Sequence, residues 1–345
     1  MAKKKKKRWG DRRDGELIRD IDSMHFITPL IHPNRCDNEA FLPLRIDMAP
    51  VLAYVERKNA EDSSMLSTYF HVITAALLKL IVLRPQLNRF IANHRIYQRN
   101  YVSASFTVKK KFSDDGDETL AIVHADENTT MADIHAQIAE QMRITHSTEG
   151  DSSTQFMDRV MKMPRFISSA MAAACRFLDH RGKVPKSFIA SDPFYSSAVL
   201  SNVGPMGLEA GFHHLTNWGT CSIFCLIGIK KKTASIEKDD SVKIAETCDL
   251  GFTIDERIAD GYYYAKSMRI LAHLEILDQP FSHAGPLCEK RLKSLDLAQF
   301  ADIFRRAAKD SYGLSDRYSA FPVFVSILRG DFPLQGIFDV GDEKF

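Results

Sequence analysis

Long apolar runs are absent from this sequence, since no stretch approaches the roughly 18 apolar residues that a membrane-spanning helix requires. The basic N-terminus lacks the apolar core of a secretory signal peptide. The six cysteines show no CxxC spacing, which argues against a zinc site and against a disulfide framework. The twelve histidines include no HExxH pattern or comparable metal spacing. These absences favour a cytoplasmic protein that binds no metal ion.

Charge is distributed unevenly along the chain. The net charge is +2, yet residues 1–13 hold five lysines and three arginines against a single aspartate, so this segment carries +7 and the remainder −5. Blocks of like charge usually stay solvated, which predicts a disordered basic tail over residues 1–14. Alternatively, the run Lys3–Arg8 contacts an anionic surface. No basic, aromatic-studded face follows residue 13, so we expect no specific nucleic acid partner.

Apolar periodicity predicts helices and strands in an irregular order. Spacings of three and four residues predict helices, and alternation predicts strands. Thr130 and Asp133 form a capping box that opens one helix. The predicted helices cover residues 66–80, 131–142, 166–178 and 264–277. The predicted strands cover residues 44–48, 102–108, 120–123, 197–203, 221–229 and 243–254. Mixing without strict βα alternation predicts an α/β two-layer sandwich on a mixed β-sheet.

Three regions lie outside this regular pattern. Residues 15–42 are expected to be irregular. Residues 285–345 are expected to form a C-terminal extension that packs on its own subunit or binds a partner. On the strand over residues 102–108, Ser103, Ser105 and Thr107 share one face, which either lines a polar cavity or turns to solvent.

A short motif follows the last predicted strand. Residues 255–261 read DERIADG, which resembles the DHRxxDG signature of the dihydrolipoyl acyltransferase cores of 2-oxo acid dehydrogenase complexes. It also resembles the HHxxxDG signature of chloramphenicol acetyltransferases. Residues 200–207, LSNVGPMG, resemble the TISNLGMFG segment of the dehydrogenase cores. Residues 70–91, 95–110 and 184–189 resemble further family segments in the same order. The resemblance covers the expected core, residues 15–284.

The resemblance to this chloramphenicol acetyltransferase-like superfamily implies a trimer with active sites between subunits. It implies transfer of an acyl group between coenzyme A and a thiol or hydroxyl acceptor. Ser201 matches the serine that stabilises the oxyanion, a contact worth roughly 2.7–4 kcal/mol. Asp260 matches the aspartate that secures the motif loop, and Gly261 matches a glycine expected to need a permissive backbone. Glu256 stands where the family has its catalytic histidine.

Glu256 leaves two interpretations open. Glutamate has a reference pKa near 4.3 against 6.5 for histidine, so it is the weaker general base at neutral pH. The favoured alternative is a structural glutamate that pairs with Arg257 or with a lysine at a subunit contact. Of the other histidines, the adjacent pair His213–His214 is a lesser candidate for the base. His71 is expected to be a buried imidazole.

These observations support three readings of function. The first is an acyl-CoA-dependent acyltransferase with weak or altered activity, with coenzyme A or acyl-CoA as cofactor. The second is a catalytically inactive trimer or cage-forming scaffold. The third is a membrane-surface protein that uses residues 166–178, although we favour a subunit contact for that helix. No lipoyl domain has a counterpart in this sequence, so no covalently attached lipoate is expected.

Overall fold

The computed structural model describes residues 8–61, 66–109, 118–146, 160, 162–236, 239–272 and 280–282. The expected C-terminal extension therefore lies outside the described residues. In the described part of the chain, every helix is too short or too polar to cross a membrane.

Nine strands form two sheets in the part of the chain that the structure describes. The strands are β1 Gly15–Leu17, β2 Glu39–Asp47, β3 Arg89–Ala92, β4 Arg95–Arg99, β5 Val102–Lys109, β6 Glu118–Ala125, β7 Ala198–Asn202, β8 Ile223–Ile236 and β9 Val242–Asp255. The large sheet has the order β2-β9-β8-β7-β5-β6, and the small sheet has the order β1-β4-β3. In the large sheet β7 runs parallel to both of its neighbours, β5 and β8, while the other pairs are antiparallel. The expected α/β fold on a mixed sheet is confirmed.

Seven α-helices with both ends among the described residues accompany the sheets. They are α1 Ser23–Ile31, α2 Ala49–Glu61, α3 Tyr69–Leu83, α4 Met131–His146, α5 Arg165–His180, α6 Lys186–Ser191 and α7 Gly261–Ala272. Helix α3 is apolar around most of its circumference and buries ten consecutive residues from Val72 to Ile81, as a core helix does. Its Phe70 ring meets Phe106 of β5 edge-on, with centroids 5.2 Å apart. This contact joins the helical layer to the large sheet.

Local chemistry accounts for several element boundaries. The predicted capping box is present, because Thr130 N donates to Asp133 Oδ2 at 2.8 Å and Asp133 N donates to Thr130 Oγ1 at 3.3 Å. Pro43 lies in β2, an edge strand of the large sheet, where a missing N–H is tolerated. Pro85 follows α3 and opens a 3₁₀ turn, so the helix ends where the sequence predicts.

Some expectations for the N-terminal region are wrong. Residues 15–42 are not irregular, since they contain β1, α1 and the start of β2. The basic tail does not extend to residue 14. Arg12 is 4% exposed and forms ion pairs with Asp14 at 2.9 Å and with Asp179 at 2.7 Å. Three charged residues at the start of the fold thus have structural partners, because Asp11 likewise accepts the backbone N–H of Leu17 at 3.1 Å.

Two of the three hydroxyl-bearing residues on this face of β5 are buried and do not face solvent. Ser103 and Ser105 are buried, and Thr107 is half-buried. Ser105 Oγ donates to the Pro193 carbonyl at 3.1 Å, so the 3₁₀ turn Pro193–Tyr195 covers this part of the strand. The Ser105 hydroxyl therefore serves packing of the turn against the sheet.

Candidate functional site

Ser201 lies near the end of β7, the strand at the centre of the parallel part of the sheet. It pairs with Leu226 of β8 and is half-buried. Among the described residues, no group forms a hydrogen bond with its hydroxyl. The side chain is therefore held by a rigid strand, and its hydroxyl has no hydrogen-bond partner in the part of the chain that the structure describes.

Polar groups fix the end of this strand. Asn202 Oδ1 accepts the N–H of Gly204 at 3.1 Å, and the Asn202 amide lies 3.3 Å from the Tyr69 hydroxyl. The Lys230 ammonium lies 5.6 Å from the centre of the Tyr69 ring. A Cβ at Gly204 would come within 2.8 Å of the Gly228 carbonyl, so glycine is required there. Sequence analysis missed the contribution of Tyr69 and Lys230, which come from distant elements.

The histidine pair lies on the same sheet face as Ser201. Val199 and Phe224 pack in one cluster, and alternation places Ser201 on the face of Val199. His213 stacks on the Phe224 ring with centroids 4.2 Å apart. His214 stacks in turn on His213 at 4.4 Å. Both imidazoles are exposed. They lie over Phe224, which precedes Leu226, the partner of Ser201 on β8, by two residues.

The motif loop begins where β9 ends. Asp255 is fully buried and receives two hydrogen bonds at 2.7 Å from the Arg257 guanidinium. Arg257 also donates to the carbonyls of His32 at 2.8 Å and Pro33 at 3.0 Å. The Tyr264 hydroxyl donates to the Asp255 carbonyl at 2.9 Å. These bonds join the loop to the chain before β2 and to α7, so the loop is firmly held.

A second buried arginine faces the same carboxylate. Arg35 Nε lies 3.6 Å from Asp255 Oδ2, and its Nη atoms donate to the carbonyls of Thr216 at 2.5 Å and Gly219 at 3.2 Å. Burial lowers the pKa of Arg35, while the charge of Asp255 opposes that shift. One carboxylate thus supports two desolvated guanidinium groups. No sequence pattern pointed to Arg35, since it lies outside the motif.

Glu256 has a different environment from its two neighbours. Its side chain is exposed, while its backbone N–H donates to the Asn38 carbonyl at 3.0 Å. The expected ion pair with Arg257 is wrong, because Arg257 is saturated by Asp255 and by backbone carbonyls. Among the described residues, no side chain pairs with the Glu256 carboxylate. A firmly held loop therefore presents an unpaired carboxylate to the outside of the chain.

Asp260 has a clear local role. Its Oδ1 accepts the backbone N–H of Tyr263 at 2.7 Å, so it caps the N-terminus of α7. Gly261 follows, but its φ is not positive, and a Cβ there would meet open space. The expectation that Gly261 provides a permissive backbone is wrong, because the helix begins with ordinary backbone angles.

Ser201 and Glu256 do not meet within one chain. Ser201 pairs with Leu226, and Leu226 pairs with Gly251. Glu256 lies five residues beyond Gly251, which is roughly 17 Å along the strand direction, and the two strand spacings add roughly 10 Å across the sheet. A site that uses both side chains requires a second chain.

His71 belongs to the helical layer, away from this sheet face. Its Nδ1 accepts the Thr68 N–H at 3.1 Å, which completes a capping box at the start of α3. The ring lies 4.8 Å from that of His135. Burial, and secondarily His135, lowers the pKa of His71 to about 4. The imidazole, which was expected to be buried, is half-buried. No cluster of three or more potential metal-ligating side chains occurs within the described ranges.

Known structures resemble this chain at low identity. A probable dihydrolipoamide acetyltransferase from Listeria monocytogenes is 14% identical with a TM-score of 0.47, over 75% of this chain and 94% of that one. The cubic core of the pyruvate dehydrogenase multienzyme complex is 12% identical with a TM-score of 0.45, over 74% and 90%. A chloramphenicol acetyltransferase is 10% identical with a TM-score of 0.46, over 75% and 98%. No protein-family profile and no curated protein matches. These three structures belong to the two groups whose motifs the sequence resembles.

Proposed function

We propose that this protein is an acyltransferase of weak activity whose site is completed between subunits of a homotrimer or larger trimer-based assembly. Ser201 of one subunit stabilises the oxyanion, and Glu256 of a neighbouring subunit acts as the general base. The acyl donor is a coenzyme A thioester, and the acceptor carries a thiol or hydroxyl group. The donor, the acceptor and the trimer are inferred from the motif resemblance.

The observation that carries this proposal is the carboxylate of Glu256, which lies on a firmly held loop and has no side-chain partner among the described residues. A glutamate that stabilises its own chain is expected to have a partner there, yet the adjacent Arg257 is already occupied by Asp255. A carboxylate that faces outward on a rigid support is suited to act on a group supplied by another molecule. The free hydroxyl of Ser201 is the complementary half of the same site.

The roles follow from the chemistry of the two groups. As an acceptor hydroxyl or thiol attacks the thioester carbonyl, Glu256 takes the proton of the nucleophile. Negative charge then collects on the carbonyl oxygen, and the Ser201 hydroxyl donates a hydrogen bond to it. The tetrahedral intermediate expels the coenzyme A thiolate, which leaves with that proton. Because glutamate is a weaker base than histidine, we expect slow turnover.

An inactive scaffold is the second candidate. It is favoured by the exposure of Glu256 within one chain. In that case the motif loop serves assembly alone. Asp260, which caps α7, would keep its structural role in both cases.

Turnover measurements separate the two candidates. Wild-type protein is incubated with short acyl-CoA donors and a dithiol acceptor, and release of free coenzyme A is followed. Ser201→Ala and Glu256→Gln are compared with Glu61→Gln, which changes an exposed carboxylate on α2. The proposal predicts slow turnover that both site variants lose and the control keeps. Wild-type turnover at the level of the buffer would refute it and favour the scaffold.

A further inference from the structure

Helix α5 presents an apolar face that the described chain leaves uncovered. Ile167, Ala170, Ala174 and Phe177 recur every three or four residues and share one face, and all four are exposed. Phe166 beside them is 75% exposed. The helix contacts the rest of the protein through the stripe of residues beside this apolar face, and none of its residues is fully buried. A large exposed apolar face of this kind marks an interaction surface.

The charged side chains around this face are basic, with one exception. Between residues 162 and 186 the only acidic side chain is Asp179, and it is ion-paired with Arg12 at 2.7 Å. The basic side chains of the same stretch are all exposed; they are Lys162, Arg165, Arg176, Arg181, Lys183 and Lys186. An apolar stripe bordered by basic side chains is complementary to an anionic lipid surface, where the chains insert and the cations meet phosphate.

A cationic cavity lies at the C-terminal end of the same helix. It has a volume of about 440 Å³ and is lined by Asn93, Arg176, Phe177, His180 and Arg181. The Arg181 guanidinium stacks 3.6 Å from the centre of the Phe177 ring. Phe177 belongs both to this lining and to the exposed apolar face, so the cavity adjoins the surface that would enter the lipid. Guanidinium groups at this position suit a phosphate group.

The N-terminal basic segment reaches the fold at this same end of α5. Arg12 binds both the carboxylate and the backbone carbonyl of Asp179, and Arg13 donates to the Val184 carbonyl at 3.0 Å. Arg8 precedes Arg12 by four residues, which is at most about 14 Å of chain. The described end of the basic segment, Arg8–Arg13, therefore lies close to the helix that already has a basic border.

We propose that α5 is an interfacial helix that docks this protein on an anionic lipid bilayer, with a lipid phosphate group in the cavity of Arg176, His180 and Arg181. The apolar face enters the boundary between headgroups and acyl chains, and the basic border lies at the level of the phosphates. This inference is independent of acyl transfer. It concerns a surface that contains neither Ser201 nor Glu256.

Vesicle flotation tests the proposal with the full chain. Vesicles of phosphatidylcholine alone are compared with vesicles that also contain phosphatidylglycerol. We expect binding only to the anionic vesicles, and weaker binding as salt is raised. Equal binding to both vesicle types, or binding to neither, would overturn the proposal. Inorganic phosphate is the soluble probe. Competition by phosphate at concentrations too low to screen charge would instead assign the cavity to a free anion.

Paired variants assign the binding to α5. Phe166→Ser with Phe177→Ser should weaken vesicle binding by about ten-fold for each residue. Arg176→Gln with Arg181→Gln should weaken it roughly five-fold for each residue. The control is Ile244→Ser with Lys243→Gln, a matched change at exposed positions of β9, and it should leave binding unchanged. Equal effects of α5 and control variants would contradict the assignment.

A second copy of the chain is the competing occupant of the face. Light scattering on the α5 phenylalanine pair decides between the two, since these exposed positions should tolerate serine without unfolding. The proposal predicts an unchanged mass and lost vesicle binding. A fall in mass would overturn it and assign the face to a contact between subunits.

Discussion

Replacing Asp255 by asparagine removes the one carboxylate shared by two buried arginines. The Asp255 and Arg257 side chains are 0% and 1% exposed and are joined by a bond of 2.7 Å, and Arg35 lies 3.6 Å away. Asparagine keeps the shape but leaves both guanidinium charges desolvated and uncompensated. Breaking a buried pair in this way costs about 3–5 kcal/mol. We expect that loss in the free energy of unfolding.

Urea unfolding provides the measurement, with a surface pair as control. Asp249 pairs with Arg45 at 2.6 Å, and these side chains are 23% and 56% exposed. Asp249→Asn should therefore cost no more than about 1 kcal/mol. If Asp255→Asn costs no more than that control, the buried pair does not hold the motif loop as argued. The double variant Asp255→Asn/Arg257→Gln should cost less than the sum of the two single changes, since both act on one pair.

Four further outcomes are expected. Ser201→Ala should lower acyl transfer by roughly 100- to 1,000-fold without changing the oligomer, and equal turnover of variant and wild type would exclude the oxyanion role. Glu256→His should retain or increase turnover where Glu256→Gln abolishes it, because the imidazole is the stronger base; loss in both would argue against a base at this position. As the pH is lowered from 6.5 to 4, the free energy of unfolding should fall by at most about 3 kcal/mol. In this range the unfolded chain binds a proton on His71, whereas the folded chain does not, because burial lowers the pKa of His71 to about 4. His71→Gln should flatten that dependence in pH-jump unfolding, and an unchanged slope would refute the assignment. Deletion of residues 1–13 should lower the melting temperature because it removes the buried Arg12, and an unchanged melting temperature would show that its ion pairs are dispensable.

Local patterns predicted the elements whose causes are local. Strand β5 followed from alternation, α3 from its apolar spacing, and the start of α4 from the Thr130–Asp133 box. Helix α1 was missed because Pro29 lies inside it, and its apolar residues are largely exposed. Helix α2 was missed because its apolar residues are mixed with charged ones and only Tyr54 is buried.

For the candidate site, the sequence predicted features with local causes but not those that depend on the tertiary fold. The motif located the loop and drew attention to Glu256, and the capping geometry of Asp260 has a local cause. The partners of Arg257 could not be deduced from the sequence. Besides Asp255, they include the carbonyls of His32 and Pro33, which lie more than 220 residues earlier in the chain. The separation of Ser201 from Glu256 depends on strand register, which a single sequence does not encode locally.

The shared site between subunits can be tested by mixing two inactive variants. Ser201→Ala and Glu256→Gln are coexpressed with different tags, and oligomers that contain both are purified. In every trimer that contains both variants, one of the three interfaces combines an intact serine with an intact glutamate. Turnover should therefore recover to about a third of the wild-type rate, while each variant alone stays inactive. Mixed oligomers that remain inactive beside an active wild type would contradict a site built from two chains.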